Sequence, residues 1–123
     1  MPVISNMWAN VSPRYAFNRV HTHPGSAWSG VYYVHAPEHS GKIYFQDPRP
    51  QAQVYNVRYK TDAPRKREVW SEVFYEPIVG RLILFPAWLQ HEVQPNLSEL
   101  EGEAGERISI SFNIHQGIQR RDQ

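Results

Sequence analysis

The sequence has 123 residues, enough for one modest hydrophobic core and too few for two, so a single domain over residues 1–123 is expected. Its 13 basic and 12 acidic side chains leave a formal charge of +1, which gives no electrostatic basis for nucleic acid or an anionic membrane as a partner. No apolar run approaches the ~20 residues that span a bilayer, and no secretory signal is visible. The absence of cysteine excludes disulfides and thiol catalysis, and a cytoplasmic location is expected.

Short strands separated by turns are the predicted secondary structure. Ten prolines and seven glycines punctuate the chain, 13% of the residues are aromatic, and no stretch shows clear helical periodicity. The predicted strands are residues 6–12, 15–23, 28–37, 42–46, 53–60, 67–76, 81–85, 90–94 and 107–116. Nine short strands without intervening helices indicate an all-β sandwich or barrel.

The second predicted strand carries two histidines, His21 and His23, in a His-Thr-His-Pro sequence. Residues i and i+2 of a strand point to the same side, so both imidazoles can face one ion. Pro24 favours extended geometry at His23, because a residue that precedes proline is pushed out of the helical region. The alternative is that the two histidines only hydrogen-bond to their neighbours, and the spacing alone does not decide between these interpretations.

A third metal ligand has to come from elsewhere in the chain, and His91 is the best candidate. It begins a predicted strand that returns after a buried strand and a turn at Pro86. Three imidazoles with open coordination positions suit catalytic Fe(II), and they also suit Zn, Cu or Ni.

The final predicted strand has two chemically different faces. One face is led by Arg107 and is otherwise small and uncharged; the residues of this face are Arg107, Ser109, Ser111 and Asn113. Arginine is well shaped to hold a carboxylate through two parallel hydrogen bonds, so a ligand pocket is one interpretation of this face. A solvent-exposed face with an ion pair from Arg107 to Glu103 or Glu106 is the other.

The opposite face of the same strand is apolar, with Ile108, Ile110, Phe112 and Ile114. The chain has no predicted helix to cover it, so either a second subunit or a longer parent protein must do so. We expect a homo-oligomer.

Five motifs in this order, spread from about Trp8 to Asn113, resemble those of the 2OG-Fe(II) oxygenases related to prolyl hydroxylases. The motifs are His21-Thr-His-Pro24, Ser29-Gly-Val-Tyr-Tyr-Val34, Asp47-Pro-Arg49, Gly80-Arg-Leu-Ile-Leu-Phe-Pro86 followed by His91, and Arg107-Ile-Ser-Ile-Ser-Phe-Asn113. The resemblance implies a double-stranded β-helix, the jelly-roll or cupin-like barrel, with Fe(II) as cofactor and 2-oxoglutarate as co-substrate. It implies His21 and His91 as iron ligands and Arg107, assisted by Tyr33, as the residue that holds 2-oxoglutarate. We place Ser109, on the same face as Arg107, with the cofactor-binding residues.

One position departs from the family pattern. His23 stands where the family has a carboxylate ligand, which raises the net charge of a metal site by one unit. We expect His23 to bind the metal directly because it lies two residues after His21 and so faces the same side of the strand. Two alternatives stay open, in which His23 turns away or Asp47 supplies the missing carboxylate.

The function that the resemblance implies is oxidation of a substrate C–H bond, as in a hydroxylase, coupled to decarboxylation of 2-oxoglutarate. The sequence does not identify the substrate, and a small molecule and a protein side chain are both open alternatives. One rival is a cupin-type metal-dependent enzyme without 2-oxoglutarate, although the acidic ligand expected shortly after His23 is missing. A second rival is a non-catalytic β-sandwich binding module with incidental histidines.

Overall fold

The chain is an all-β protein in a computed structural model that describes residues 1–54, 62, 64 and 71–117. Its strands are β1 (Pro2–Ser12), β2 (Asn18–His21), β3 (Trp28–His35), β4 (Ile43–Gln46), β5 (Glu72–Tyr75), β6 (Leu82–Pro86), β7 (His91–Val93) and β8 (Arg107–Gln116). Two single-turn 3-10 helices, Pro50–Gln53 and Gly102–Gly105, are the helical elements of this described part. No helix among these residues is long and apolar enough to cross a membrane.

The strands form two four-stranded sheets. The larger sheet has the order β1-β8-β3-β6, and the smaller sheet has the order β2-β7-β4-β5. Every neighbouring pair is antiparallel, and most neighbours are distant in sequence, as β8 shows by lying between β1 and β3. Apart from β4 and β5, which are neighbours in the smaller sheet, successive strands alternate between the two sheets, as in a double-stranded β-helix, and the predicted fold class is confirmed.

The predicted strands agree with the observed ones most closely at the end of the chain, where residues 107–116 form β8. The second strand is shorter than predicted and ends at His21. Beyond it, the backbone N–H of His23 donates to the Ala87 carbonyl instead of a sheet partner, and the chain turns at Pro24-Gly25. Residues 55–60 of the predicted strand 53–60 and residues 67–70 of the predicted strand 67–76 lie outside the described part.

The hydrophobic core lies between the two sheets and is small. Its buried members are Val31, Tyr33, Ile43, Phe45 and Phe85. The inward face of β8 contributes polar groups to the same interior, since Arg107, Ser109 and Asn113 are all buried. Buried polar side chains are costly unless they have partners, so this part of the interior is suited to a ligand site.

The outward face of the larger sheet is apolar and exposed. Eight large side chains on it are each 41–58% exposed: Ile4, Met7, Val11, Trp28, Tyr32, Val34, Leu82 and Leu84. The apolar side chains of β8 lie half-buried among them, in register with β1 and β3. We refer to this surface as the outer face.

Candidate active site

Three histidines from separate parts of the chain meet between the sheets. His21 ends β2 and pairs directly with His91, which begins β7 beside Phe45 of β4. His23 follows two residues after His21. The candidate ligand atoms of the three histidines all lie within 4.8 Å of one another, and Nε2 of His23 lies 3.2 Å from Nε2 of His91.

Backbone carbonyls fix the orientation of two of these rings. Nδ1 of His21 lies 2.6 Å from the Arg19 carbonyl, and Nδ1 of His91 lies 2.9 Å from the Leu89 carbonyl. A carbonyl only accepts, so each Nδ1 carries the proton and each Nε2 keeps its lone pair. This second contact to a carbonyl is typical of histidines that bind metals.

The spacing and protonation of the cluster suit a metal ion. Two nitrogens bound to one ion at ~2.1 Å lie roughly 3.0–3.4 Å apart, which matches the distance between His23 and His91. Burial lowers the pKa of His91 to about 4, and burial followed by proximity to His21 lowers the pKa of His23. Both imidazoles are therefore neutral near pH 7, the state that binds metals.

Asp47 does not lie in this cluster. Its carboxylate accepts hydrogen bonds from the backbone N–H, Nε and a terminal nitrogen of Arg49, at 2.9, 3.0 and 2.7 Å. These bonds hold the pKa of Asp47 at about 2. In the described part of the chain, the group of side chains placed to hold a metal ion consists of His21, His23 and His91. The geometry gives no support to the alternative in which Asp47 completes the site.

The cluster opens into a cavity of about 400 Å³ that also contains Arg107, Tyr33 and Ser109. Arg107 is 3% exposed, and one of its terminal nitrogens donates to the backbone carbonyls of Ser40 and Gly41. The ion pairs found among described residues belong to His39, Lys42 and Arg49, so the alternative of an Arg107 pair with Glu103 or Glu106 is wrong. Burial lowers the pKa of Arg107 from 12.5 and raises that of Tyr33 from 10.0, so at neutral pH the first is a cation and the second a neutral hydroxyl.

Gly41 makes room for the Arg107 guanidinium. Its φ is +98°, and a Cβ built on it would lie 2.3 Å from the Gln94 carbonyl oxygen and 2.8 Å from a terminal nitrogen of Arg107. Any other residue would be strained and would push against both groups.

Other cavity residues were not singled out by the sequence. The inward face of β1 contributes Trp8 and Asn10, and the Trp8 ring lies 6.3 Å from the His23 ring. Trp8 Nε1 donates to Asn10 Oδ1 at 3.2 Å, and Asn10 Nδ2 donates to the Ser111 hydroxyl at 2.8 Å. Phe17, Asn18, Arg19 and Ser29 also line the cavity. The alternation of Trp8, Asn10 and Ser12 with apolar residues was the available signal, and it matches that of β8.

The remaining histidines have other environments. His39 is exposed near Glu38, Nδ1 of His35 lies 2.6 Å from the Glu106 carbonyl, and Nε2 of His115 lies 3.2 Å from the Ser26 hydroxyl.

A double-stranded β-helix with three clustered imidazoles and a buried arginine defines the class of metal-dependent jelly-roll proteins. Within that class, residues 6–113 match the family described as "Putative 2OG-Fe(II) oxygenase". The match covers most of the chain, so the protein belongs to the 2OG-Fe(II) oxygenase family, and the resemblance in its motifs is confirmed. A comparison with proteins of curated function gives no match.

Solved structures of low sequence identity share the fold. An oxidoreductase of the 2OG-Fe(II) oxygenase family from Burkholderia pseudomallei is 15% identical with a TM-score of 0.63, covering 93% of this chain and 43% of its own. A prolyl-4-hydroxylase from Pseudomonas putida is 23% identical with a TM-score of 0.55, covering 90% of this chain and 51% of its own. The epimerase SnoN, solved with Fe3+, alpha-ketoglutarate and nogalamycin RO, is 16% identical with a TM-score of 0.62, covering 93% and 50%. The chain thus spans about half the length of these structures.

Proposed function

We propose that the protein is an Fe(II)- and 2-oxoglutarate-dependent oxygenase that hydroxylates an organic substrate. When bound, Fe(II) and 2-oxoglutarate supply the oxidising chemistry, in which O2 converts 2-oxoglutarate to succinate and CO2 and adds one oxygen atom to a substrate C–H bond. The observation that carries this proposal is the presence of three clustered imidazoles and a buried arginine in one cavity. A cytoplasmic location remains part of the proposal.

The three Nε2 atoms are the donors that would hold the metal. His21 and His91 have their lone pairs directed away from the carbonyls that fix their rings. His23 completes the set in place of the usual carboxylate, so the protein contributes no negative charge to the ion. Three imidazoles leave coordination positions for a chelating co-substrate and suit Fe(II) as well as Zn, Cu or Ni.

Arg107 is the group that would hold the far carboxylate of 2-oxoglutarate. It is a buried cation that, among the described residues, has neutral carbonyls as partners and no carboxylate. A buried charge without a counter-ion is costly, and an anion that enters the cavity removes that cost. The Tyr33 hydroxyl is positioned near Arg107, whose charge affects its pKa, and it can donate to the same carboxylate.

Part of the cavity lining is apolar. The apolar and aromatic residues of this lining include Trp8, Phe17, Val31, Ile43, Phe85 and Val93. Apolar walls lower the local dielectric constant, which strengthens the electrostatic interactions that would orient both bound groups.

The test is an anaerobic titration with Fe(II) and then with 2-oxoglutarate, in which each binding step is measured by calorimetry. We expect one equivalent of metal and then one of 2-oxoglutarate, with the second step weakened in Arg107→Gln and the first unchanged. Metal binding without 2-oxoglutarate binding would favour the cupin-type enzyme. Absence of stoichiometric metal binding would favour the binding module.

A further inference from the structure

Among the residues that the structure describes, the candidate active site has no acidic side chain. The described residues that line the cavity include Arg19, Arg107 and three histidines but neither an aspartate nor a glutamate. Replacement of the family's carboxylate by His23 removes the acidic group that would be expected there. A cavity with charge of one sign and low-dielectric walls concentrates the field and attracts ions of the opposite sign.

A charge count shows how large the excess is. A divalent metal contributes two positive charges, and Arg19 and Arg107 contribute one each. The two carboxylates of 2-oxoglutarate neutralise two of these four, so two positive charges remain beside the open part of the cavity. With a carboxylate at position 23 and no Arg19, the same count would give zero.

Building on the proposed function, we infer that the substrate is an anion whose negative group lies near Arg19. Arg19 is exposed, lies two residues before His21 on β2, and forms none of the ion pairs found among the described residues. The Arg19 carbonyl accepts a hydrogen bond from Nδ1 of His21, which fixes the Arg19 backbone beside the three histidines. Trp8 and Phe17 line the same cavity, so an anion with an attached aromatic or apolar body fits these walls.

Benzoate and benzamide form a probe pair of equal shape that differs in charge. Each is titrated into protein saturated with Mn(II) and 2-oxoglutarate, so that Arg107 is already occupied. We expect benzoate to bind about tenfold more tightly than benzamide, with the difference falling as salt is added. Arg19→Gln should weaken benzoate about threefold and leave benzamide unchanged, as expected for a partly exposed ion pair. Arg14→Gln is the matched control because Arg14 is exposed and does not line the cavity.

Equal affinity for the two probes would overturn the inference, as would equal effects of the Arg19 and Arg14 substitutions. Displacement of 2-oxoglutarate by benzoate would also overturn it, by placing the excess charge in the co-substrate site. These outcomes differ from failure of the proposed function, which would appear earlier as absence of Mn(II) or 2-oxoglutarate binding.

A separate observation concerns the outer face of the larger sheet. At roughly 200 Å² for a large side chain, its eight half-exposed apolar residues present on the order of 800 Å² of surface. That area exceeds the largest apolar patch of a typical monomer, about 300–600 Å². It equals the contribution of one partner to a standard interface, about 800 Å².

We propose that the outer face binds the outer face of a second copy of the chain. The outward positions of β1, β8, β3 and β6 carry no charged side chain within the described strands. A neutral, apolar sheet face needs no charge complement, so it can pack against its own copy about a two-fold axis. Its aromatic and Met side chains, Trp28, Tyr32 and Met7, are of the types enriched in interface cores.

Sedimentation velocity of the chain at micromolar concentrations tests this. We expect a dimer, which Leu84→Lys and Tyr32→Lys convert to a monomer with unchanged circular dichroism, whereas Leu100→Lys, at an exposed apolar residue outside the strands of the larger sheet, leaves it dimeric. A monomeric unsubstituted chain would overturn the proposal and assign the face to another polypeptide segment. A dimer that survives both substitutions would place the contact elsewhere.

Discussion

Nε2 of His23 lies 3.2 Å from Nε2 of His91, although the two residues are 68 positions apart in the chain. The Leu89 carbonyl keeps the proton of His91 on Nδ1, so His91 Nε2 accepts and His23 Nε2 donates in the metal-free protein. A metal that binds both nitrogens must displace this proton to Nδ1 of His23. The two nitrogens thus lie at the spacing expected for two ligands of one ion.

His91→Ala should abolish metal binding, because it removes the most buried of the three donors. Loss of one imidazole should weaken affinity by at least about 100-fold. Metal content after anaerobic loading measures this, and His39→Ala, at an exposed histidine, is the control. Full occupancy in His91→Ala would remove His91 from the ligand set.

His23→Asp should change which metal the site prefers. A carboxylate adds a negative charge and a harder ligand, so selectivity should shift by about tenfold toward Mn(II) and Fe(II) over Ni(II) and Zn(II). Competition titrations between these ions measure the shift. Identical selectivity in the substituted and unsubstituted proteins would mean that His23 is not a ligand.

Tyr33→Phe should weaken 2-oxoglutarate binding about fivefold without affecting the metal, because it removes one neutral hydroxyl donor near Arg107. Arg107→Gln should weaken it much more, about 10- to 100-fold, because the lost bonds are charge-assisted. Calorimetric titration of 2-oxoglutarate into the metal-loaded variants gives both values. Tyr44→Phe, at a tyrosine that does not line the cavity, is the control. A larger effect of Tyr33→Phe than of Arg107→Gln would reverse the roles assigned here.

Gly41→Ala should reduce both stability and 2-oxoglutarate affinity, because its methyl group would collide with the Gln94 carbonyl and displace the Arg107 guanidinium. We expect a stability loss of about 2–3 kcal/mol. Gly80 is the matched control, since it also has a positive φ but its Cβ would meet nothing within 4 Å. Denaturant unfolding of both variants measures the cost of a left-handed backbone in alanine. Titration with 2-oxoglutarate measures the effect of displacing Arg107, which only Gly41→Ala should show. Equal effects at both glycines would mean that Gly41 does not position Arg107.

The metal-free protein should lose stability on acidification. The pKa of His91 is about 4 in the folded protein and 6.5 as its ordinary value, so between these values the unfolded chain binds more protons than the folded chain. The stabilisation is therefore complete above pH 6.5 and is lost as the pH falls toward 4, by up to about 3 kcal/mol. His23, whose pKa is also lowered, contributes in the same direction. Unfolding free energies across this range measure the loss, which should be smaller in His91→Gln; an equal loss in that variant would contradict the assignment.

The all-β class and much of the candidate site could be predicted from local sequence patterns, whereas the double-stranded β-helix followed from the resemblance of the motifs to a known family. Alternation along residues 107–116 indicated the two faces of β8, and the structure places Arg107 on the buried polar face. Parity and Pro24 predicted the convergence of His21 and His23, and the strand after Pro86 led to His91.

Features that depend on long-range packing could not be predicted in this way. The tautomer of His91 is fixed by the Leu89 carbonyl, which the turn before β7 brings into place. The position of the Arg107 guanidinium depends on the backbone carbonyls of Ser40 and Gly41. The sequence does not exclude Asp47 as a ligand, because its pairing with Arg49 depends on local geometry that a spacing of two residues does not fix. The cavity side of β1 was missed because alternation does not tell which face is inward.

Anomalous diffraction from crystals loaded with Mn(II) and 2-oxoglutarate without oxygen tests the central claim most directly. We predict one metal peak with Nε2 of His21, His23 and His91 each at about 2.1–2.2 Å from it. A peak bound by two histidines with His23 turned away, or a peak elsewhere in the molecule, would contradict it.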